Sequence, residues 1–197
     1  MGLPMLEEPV VGGYHDMVRA LRTQLNKVLD EKNPLRVLVV GHGGRDTMCC
    51  MPVIEAVARD DQLRKVVHVH ICTSSLPHDK WEEHLKRYLE RIEGNGMIER
   101  DSVCVHSGGL YQICANPRKH LEGKHFVVQC EQGADNYEDN FVHHVCMQAT
   151  QAAGIPVYLL QTQTELDLEG GIPKEELDVN IVGGSLQSGA FFQKIRS

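Results

Sequence analysis

Residues 35–45 read LRVLVVGHGGR. A short apolar run ends in a glycine-rich turn, and a helical pattern follows it. A buried strand hands over to a ligand-facing loop in this way in open α/β sheets. The stretch therefore sets both the expected fold and the place where chemistry would occur.

Outward from it, strands and helices alternate. The expected strands are Arg36–Val40, Val66–Cys72, Ser102–His106, His125–Cys130, Val157–Leu160 and Val179–Val182. The expected helices cover about Tyr14–Glu31, a segment holding Val53, Ile54 and Val57, then Lys80–Glu93 and about Glu138–Ala153. In the first, Met17, Leu21, Leu25, Val28 and Leu29 lie on one stripe at helical spacing. In Lys80–Glu93 the stripe is Trp81, Leu85, Leu89 and Ile92, with Asp79 and Glu82 as a capping box and Gly94 as the stop. Phe191–Ile195 reads as a last helical turn. Six apolar runs separated mostly by helices predict an α/β domain. It has three layers, with a mostly parallel, doubly wound (Rossmann-like) sheet of about six strands. Residues 1–13 read as a loose N-terminal arm and residues 14–197 as a single domain.

Composition sets bounds on function. A 197-residue chain that is 42% hydrophobic and 24% charged is long and apolar enough for one packed core. No run approaches the roughly 18 apolar residues of a membrane span. Met1–Val11 has two glutamates and no basic residue, unlike a secretory or mitochondrial leader. The net charge is −7, with Arg19, Arg22 and Lys27 interspersed with Asp16 and Asp30. Nucleic acid is a poor partner for such a chain, because phosphate binding needs a concentrated basic face. The seven cysteines (Cys49, Cys50, Cys72, Cys104, Cys114, Cys130 and Cys146) are odd in number and contain no C-x-x-C pair. That pattern points to an intracellular, reducing compartment, cytoplasmic rather than secreted, with most thiols in core packing.

Right-handed crossovers put the loop after each parallel strand on one edge. Those loops read GHGGRDT, CTSSLPHD, HSGGLYQ, CEQGADNYED, QTQTELD and GGSLQSG. Three contain a Gly–Gly pair, which favours close approach of backbone N–H groups to a ligand. The first loop departs from a dinucleotide fingerprint: Asp46 holds the third glycine position, and Cys72–Ser75 supplies no ribose-binding acid, the nearest being Asp79. No G-x-x-x-x-G-K-[ST] run exists, and Gln187 replaces the last glycine of a G-x-S-x-G elbow at Gly183–Gln187. No cofactor is assigned.

The string VLVVGHGGRD, residues 37–46, resembles the first strand and loop of glycinamide ribonucleotide synthetases. It is also similar to the VGHGSRD start of sirohydrochlorin cobaltochelatases. Neither an ATP-grasp region nor a second chelatase histidine motif follows. What the resemblance implies is confined to the turn, which admits a phosphate or carboxylate with Arg45 as counter-charge.

The candidate ligand-binding residues are Gly41, Gly43, Gly44, Arg45, Ser107, Gly108, Gly184 and Ser185. The reactive candidates are His42, Cys50, His106 and Asp135. Cys49 or Cys50 at a helix N-terminus would have a lowered thiol pKa, and His42 or His106 would act as base. Glu131, Asp135 and Asp139 offer carboxylates, against which stands helix capping by Asp135 or Asn136. Eleven histidines, among them His68, His70, His143 and His144, match no zinc signature, and no metal ligand is assigned. Two readings stand. One is a small-molecule-binding domain, enzyme or binder, for a phosphorylated or carboxylated ligand. The other is a non-catalytic subunit or scaffold that works through protein partners.

Overall fold

The computed structural model describes residues 10–12, 14–41, 50–74, 80–132, 148, 153–162 and 190–196. The elements run β1 (Val10–Gly12), α1 (Tyr14–Leu29), β2 (Leu35–Gly41), α2 (Met51–Ala58), α3 (Leu63–Val66), β3 (Val67–Cys72), α4 (Lys80–Gly94) and β4 (Val103–His106). They continue with α5 (Gly109–Ala115), α6 (Pro117–Leu121), β5 (Phe126–Gln132), β6 (Val157–Thr162) and β7 (Ala190–Arg196). One sheet holds all seven strands in the order β1-β7-β6-β5-β2-β3-β4.

Five of these strands, β6-β5-β2-β3-β4, are parallel throughout. Numbered in chain order among themselves they run 5-4-1-2-3, so the winding reverses between β2 and β5. This is the doubly wound α/β arrangement that the alternation predicts. Two antiparallel strands extend the sheet beyond β6: β7 pairs with β6, and β1 pairs with β7 through Val10↔Phe192. Phe191–Ile195 is therefore strand, not a helical turn. A five-residue segment has no decisive period, and the edge of β6 offers it hydrogen-bond partners from Val157 to Thr162, with one register shift after Val157. Val10–Gly12, which the sequence reading assigns to the arm, extends the sheet by a further strand. The expected strand Val179–Val182 lies outside the described residues. Of the helix expected over 138–153 only Gln148 and Ala153 are described, both helical.

Strand alternation divides the core in two. Val37, Val39, Val69, Ile71, Phe126 and Val128 face the larger cluster, which the buried stripes of α1 and α4 complete. Met17, Leu21, Leu25 and Leu29 carry the α1 contribution; Trp81, Leu85, Leu89 and Ile92 carry that of α4. Helix α2 is buried at every position. Its sequence MPVIEAVA is apolar nearly all round, as a helix enclosed on every side requires. Glu55, the exception, pairs with Arg59 one turn on. On the opposite face Leu38, Val40, Cys72, Val127 and Val157 meet Leu110 and Ile113 of α5 and Leu121 of α6. The sequence reading missed α5 and α6, whose short lengths leave too few turns for a periodic signal.

Asp60 closes the turn after α2. Its carboxylate accepts from the backbone N–H groups of Gln62 and Leu63 and from the Asn26 amide. Burial pushes its pKa up, but these hydrogen bonds and Arg22 win, and the net direction is down from 3.8.

Candidate functional site

Because the five inner strands are parallel, their carboxyl ends share one edge. Gly41 ends β2 and pairs with Cys130 of β5, so these two residues flank the point where the winding reverses. Gly41 is buried. His42, Gly43, Gly44 and Arg45, which follow it, lie outside the described residues, as do Asp135, Gly184 and Ser185. The described part of the edge consists of Gly41, Cys50, the segment after β3, and the segment after β4.

The last two segments are joined. The Thr73 N–H donates to the His106 carbonyl, and the Leu110 N–H donates to the Thr73 carbonyl. Between them lies the carboxylate of Glu82, from the first turn of α4 and 3% exposed. Thr73 Oγ1 donates to Glu82 Oε2 at 2.8 Å, and Ser107 Oγ donates to Oε1. Lys86 Nζ pairs with the same Oε1 at 2.8 Å and donates to Ser107 Oγ at 3.1 Å. A buried carboxylate is tolerable here because two hydroxyls and an ammonium satisfy it. Ser107, predicted as ligand-binding, is thus one corner of a polar lock between two crossovers.

Gly108 and Gly109 have structural tasks in the same place. Gly108 adopts φ 67°, the left-handed region, at the N-cap of α5. A Cβ on Gly109 would stand 2.9 Å from Cys72 Sγ and 3.0 Å from His106 Cβ. This Gly–Gly pair lets α5 turn sharply and lie close against β3 and β4.

Cys50 is the N-cap of α2, as the sequence suggests for one of the two adjacent cysteines, but its side chain is 1% exposed. Cys72 is also buried, and burial pushes its thiol up to about 11. Cys104 and Cys114 are likewise raised, chiefly by burial. None of these shifts favours a thiolate.

His106 stands at the end of β4, exposed at the rim. Its Nε2 shares a hydrogen bond of 3.1 Å with Nδ1 of half-buried His70 on β3, and the two rings lie within 14° of parallel. His68, two residues before His70 and so on the same face of β3, is exposed. Burial first, then the charges of Lys124, His106, His68 and Arg36, lower His70 to about 4. Burial, Lys124 and His120 lower His106 as well. Both rings are therefore neutral near pH 7. The unfolded chain protonates its histidines near 6.5, whereas folded His70 resists until about 4. The contribution of His70 is full above pH 6.5, falls between 6.5 and about 4, and levels off below. Denaturant titrations at pH 7, 5 and 4 should show this acid loss in the native protein and a shallower loss in His70→Asn. An equal loss in both proteins would remove His70 as its source.

Glu82, Thr73, Lys86 and His70 were missed as members of a site. Glu82 had a legible signal: it stands three residues before Leu85 and seven before Leu89, on the buried stripe. An acid there must find partners inside the protein.

A cavity of about 650 Å³ is lined by Pro117, Arg118, Leu121, Lys124 and Ile155 among others. Its walls come from residues just before β5 and β6, so it opens at the amino edge, away from the carboxyl-edge crevice. Among the described residues no cluster of three or more His, Cys, Asp or Glu is arranged to hold a metal ion. Nor is any helix among them long and apolar enough to cross a membrane. No known protein-family model matches the chain, and no curated protein matches its sequence.

Proposed function

We propose that the chain is a Rossmann-like domain that binds a small phosphorylated or carboxylated molecule at the carboxyl edge of its sheet. The observation that carries this reading is the strand order. The winding reverses between β2 and β5, where Gly41 pairs with Cys130. Ligands of open α/β sheets bind at such a reversal because the flanking crossovers leave to opposite faces and open a crevice. The first glycine-rich segment, GHGGR, begins at Gly41. Its glycines allow backbone N–H groups to approach an anion, and Arg45 supplies the counter-charge. Of the reactive candidates, His106 has the best support as a proton acceptor, being neutral and exposed at the same edge.

The test is a thermal-shift series with nucleotides, sugar phosphates and small carboxylic acids. A ligand at a hundredfold its Kd stabilises by about 2.7 kcal/mol, which corresponds to about 5–10 °C in a domain of this size. Arg45→Ala should abolish that shift while leaving the ligand-free Tm within about 2 °C. A full shift in Arg45→Ala would refute the assignment of the turn.

A second reading, a non-catalytic subunit acting through protein contacts, has its own support. Cys50 is buried, and Gly108–Gly109 is explained by a turn and by packing against Cys72. Absence of any ligand shift, together with co-purification in a stoichiometric assembly, would favour it.

A further inference from the structure

Parallel pairing of β3 with β4 sets two imidazoles beside each other. His70 stands opposite Cys104 in the ladder and His106 opposite Cys72, so the two rings are diagonal neighbours on one face of the sheet. His70 Nδ1 and His106 Nε2 are 3.1 Å apart, and the ring planes lie within 14° of parallel. The backbone beneath them is tied across the two strands, because the Thr73 N–H just past β3 donates to the His106 carbonyl. The two thiols on this face are engaged elsewhere. Cys104 Sγ donates to the Asp101 carbonyl, and Cys72 Sγ packs against Gly109.

The separation is that of two ligands on one ion. Imidazole nitrogens about 2.0–2.1 Å from a divalent metal stand about 2.9 Å apart at a right-angled site and about 3.3–3.4 Å apart at a tetrahedral one. The observed 3.1 Å falls between the two. An N–H···N bond between neutral rings uses one N–H and one lone pair. For both nitrogens to ligate, the shared proton moves through solvent to the outer nitrogen of its own ring, and no net proton is released. Each lone pair then turns off the N···N line toward a common point, and His106, exposed at the rim, has room for that swing. Among the described residues no third His, Cys, Asp or Glu joins the pair, so the ion keeps positions for water or an oxyanion.

We propose that His70 and His106 together chelate a divalent transition metal of the class that prefers imidazole, such as nickel or zinc. The inference rests on the carboxyl-edge reading in one respect: an open position on the metal takes an oxygen of the phosphorylated or carboxylated ligand. With metal bound, the proton acceptor at this place is metal-bound water and not the His106 ring, whose Nε2 is occupied.

Ni²⁺ is the probe, titrated at neutral pH into the full chain, free of any purification tag and with no anionic ligand present. Calorimetry gives the affinity. NMR of the histidine rings gives the place, because paramagnetic Ni²⁺ broadens the rings that hold it. The expected result is that the His70 and His106 resonances broaden first, at substoichiometric metal. His70→Asn and His106→Asn should each weaken this binding about tenfold or more, since one imidazole remains where two acted on the same ion. His68→Asn, exposed on the same face of β3, should bind as tightly as the native protein. Earlier broadening at other histidines would overturn the proposal. Native affinity in either His70→Asn or His106→Asn would do the same, as would equal weakening in His68→Asn. The crevice reading fails separately, by an absent thermal shift with every anionic ligand while Ni²⁺ binding at the pair is retained.

Discussion

Phe126→Ala is expected to lower the unfolding free energy by about 3–5 kcal/mol, the largest effect of any single truncation considered. Phe126 is fully buried, and its ring stacks on Tyr158 with centroids 4.2 Å apart and planes within 9°. It lies at the start of β5, registered against Val37 of β2. Truncation leaves a cavity among three strands and removes an aromatic contact worth about 0.5–1.5 kcal/mol beyond its buried area. Urea unfolding should show a lower midpoint with an unchanged slope. Phe126→Leu, which keeps most of the volume, should lose less than half as much. A loss below about 1 kcal/mol for the alanine variant would contradict the packing of β5 against β2 and β6. The same variant bears on function, because β5 is one wall of the crevice that begins at Gly41.

Removing the Glu82 carboxylate has the second-largest expected effect. Glu82→Ala should cost about 2–4 kcal/mol, because a buried hydroxyl and a part-buried one both lose a charged acceptor. Thr73 is fully buried and loses its acceptor; Ser107 loses its own. Lys86 is nearly half exposed and can solvate itself, so Lys86→Met should cost under about 1 kcal/mol. The contrast between the two variants identifies the hydroxyl bonds, and not the ion pair, as the main contribution. Equal losses would reverse that assignment. Glu82→Gln should fall between them, since an amide oxygen still accepts from one hydroxyl. Hydrogen exchange gives a local readout: the N–H groups of Thr73 and Leu110 hold the two crossovers together and should exchange faster in Glu82→Ala than in Lys86→Met.

Much of the chain was legible without coordinates. The run Leu35–Gly41, the buried stripes of α1 and α4, and the parallel strands β2 to β6 all follow from hydrophobic period and from breakers such as Gly94 and Pro156. Residues on one element differ from their neighbours in burial, and that difference recurs at 2.0 or 3.6 residues whatever the rest of the chain does. Short elements escaped this reading. Helices α5 and α6 are too brief to show a period, and β7 was taken for a helical turn because its strand state depends on the free edge of β6.

The candidate site divided along the same line. That the glycine-rich turn follows a buried strand was plain from residues 35–45. That β2 and β5 are the strands on either side of the reversal was not, because strand order is set by backbone pairing between segments some ninety residues apart. The histidine pair joins residues 36 apart, and the Glu82–Ser107 contact joins residues 25 apart. Composition along a segment determines which of its sides is buried. Which distant side chain meets it there depends on register, and register exists only once the sheet is assembled. The sequence by itself therefore determined a wound α/β sheet with a glycine corner after its first inner strand. The tertiary structure decided which corner meets which, and it alone brought His106 to His70.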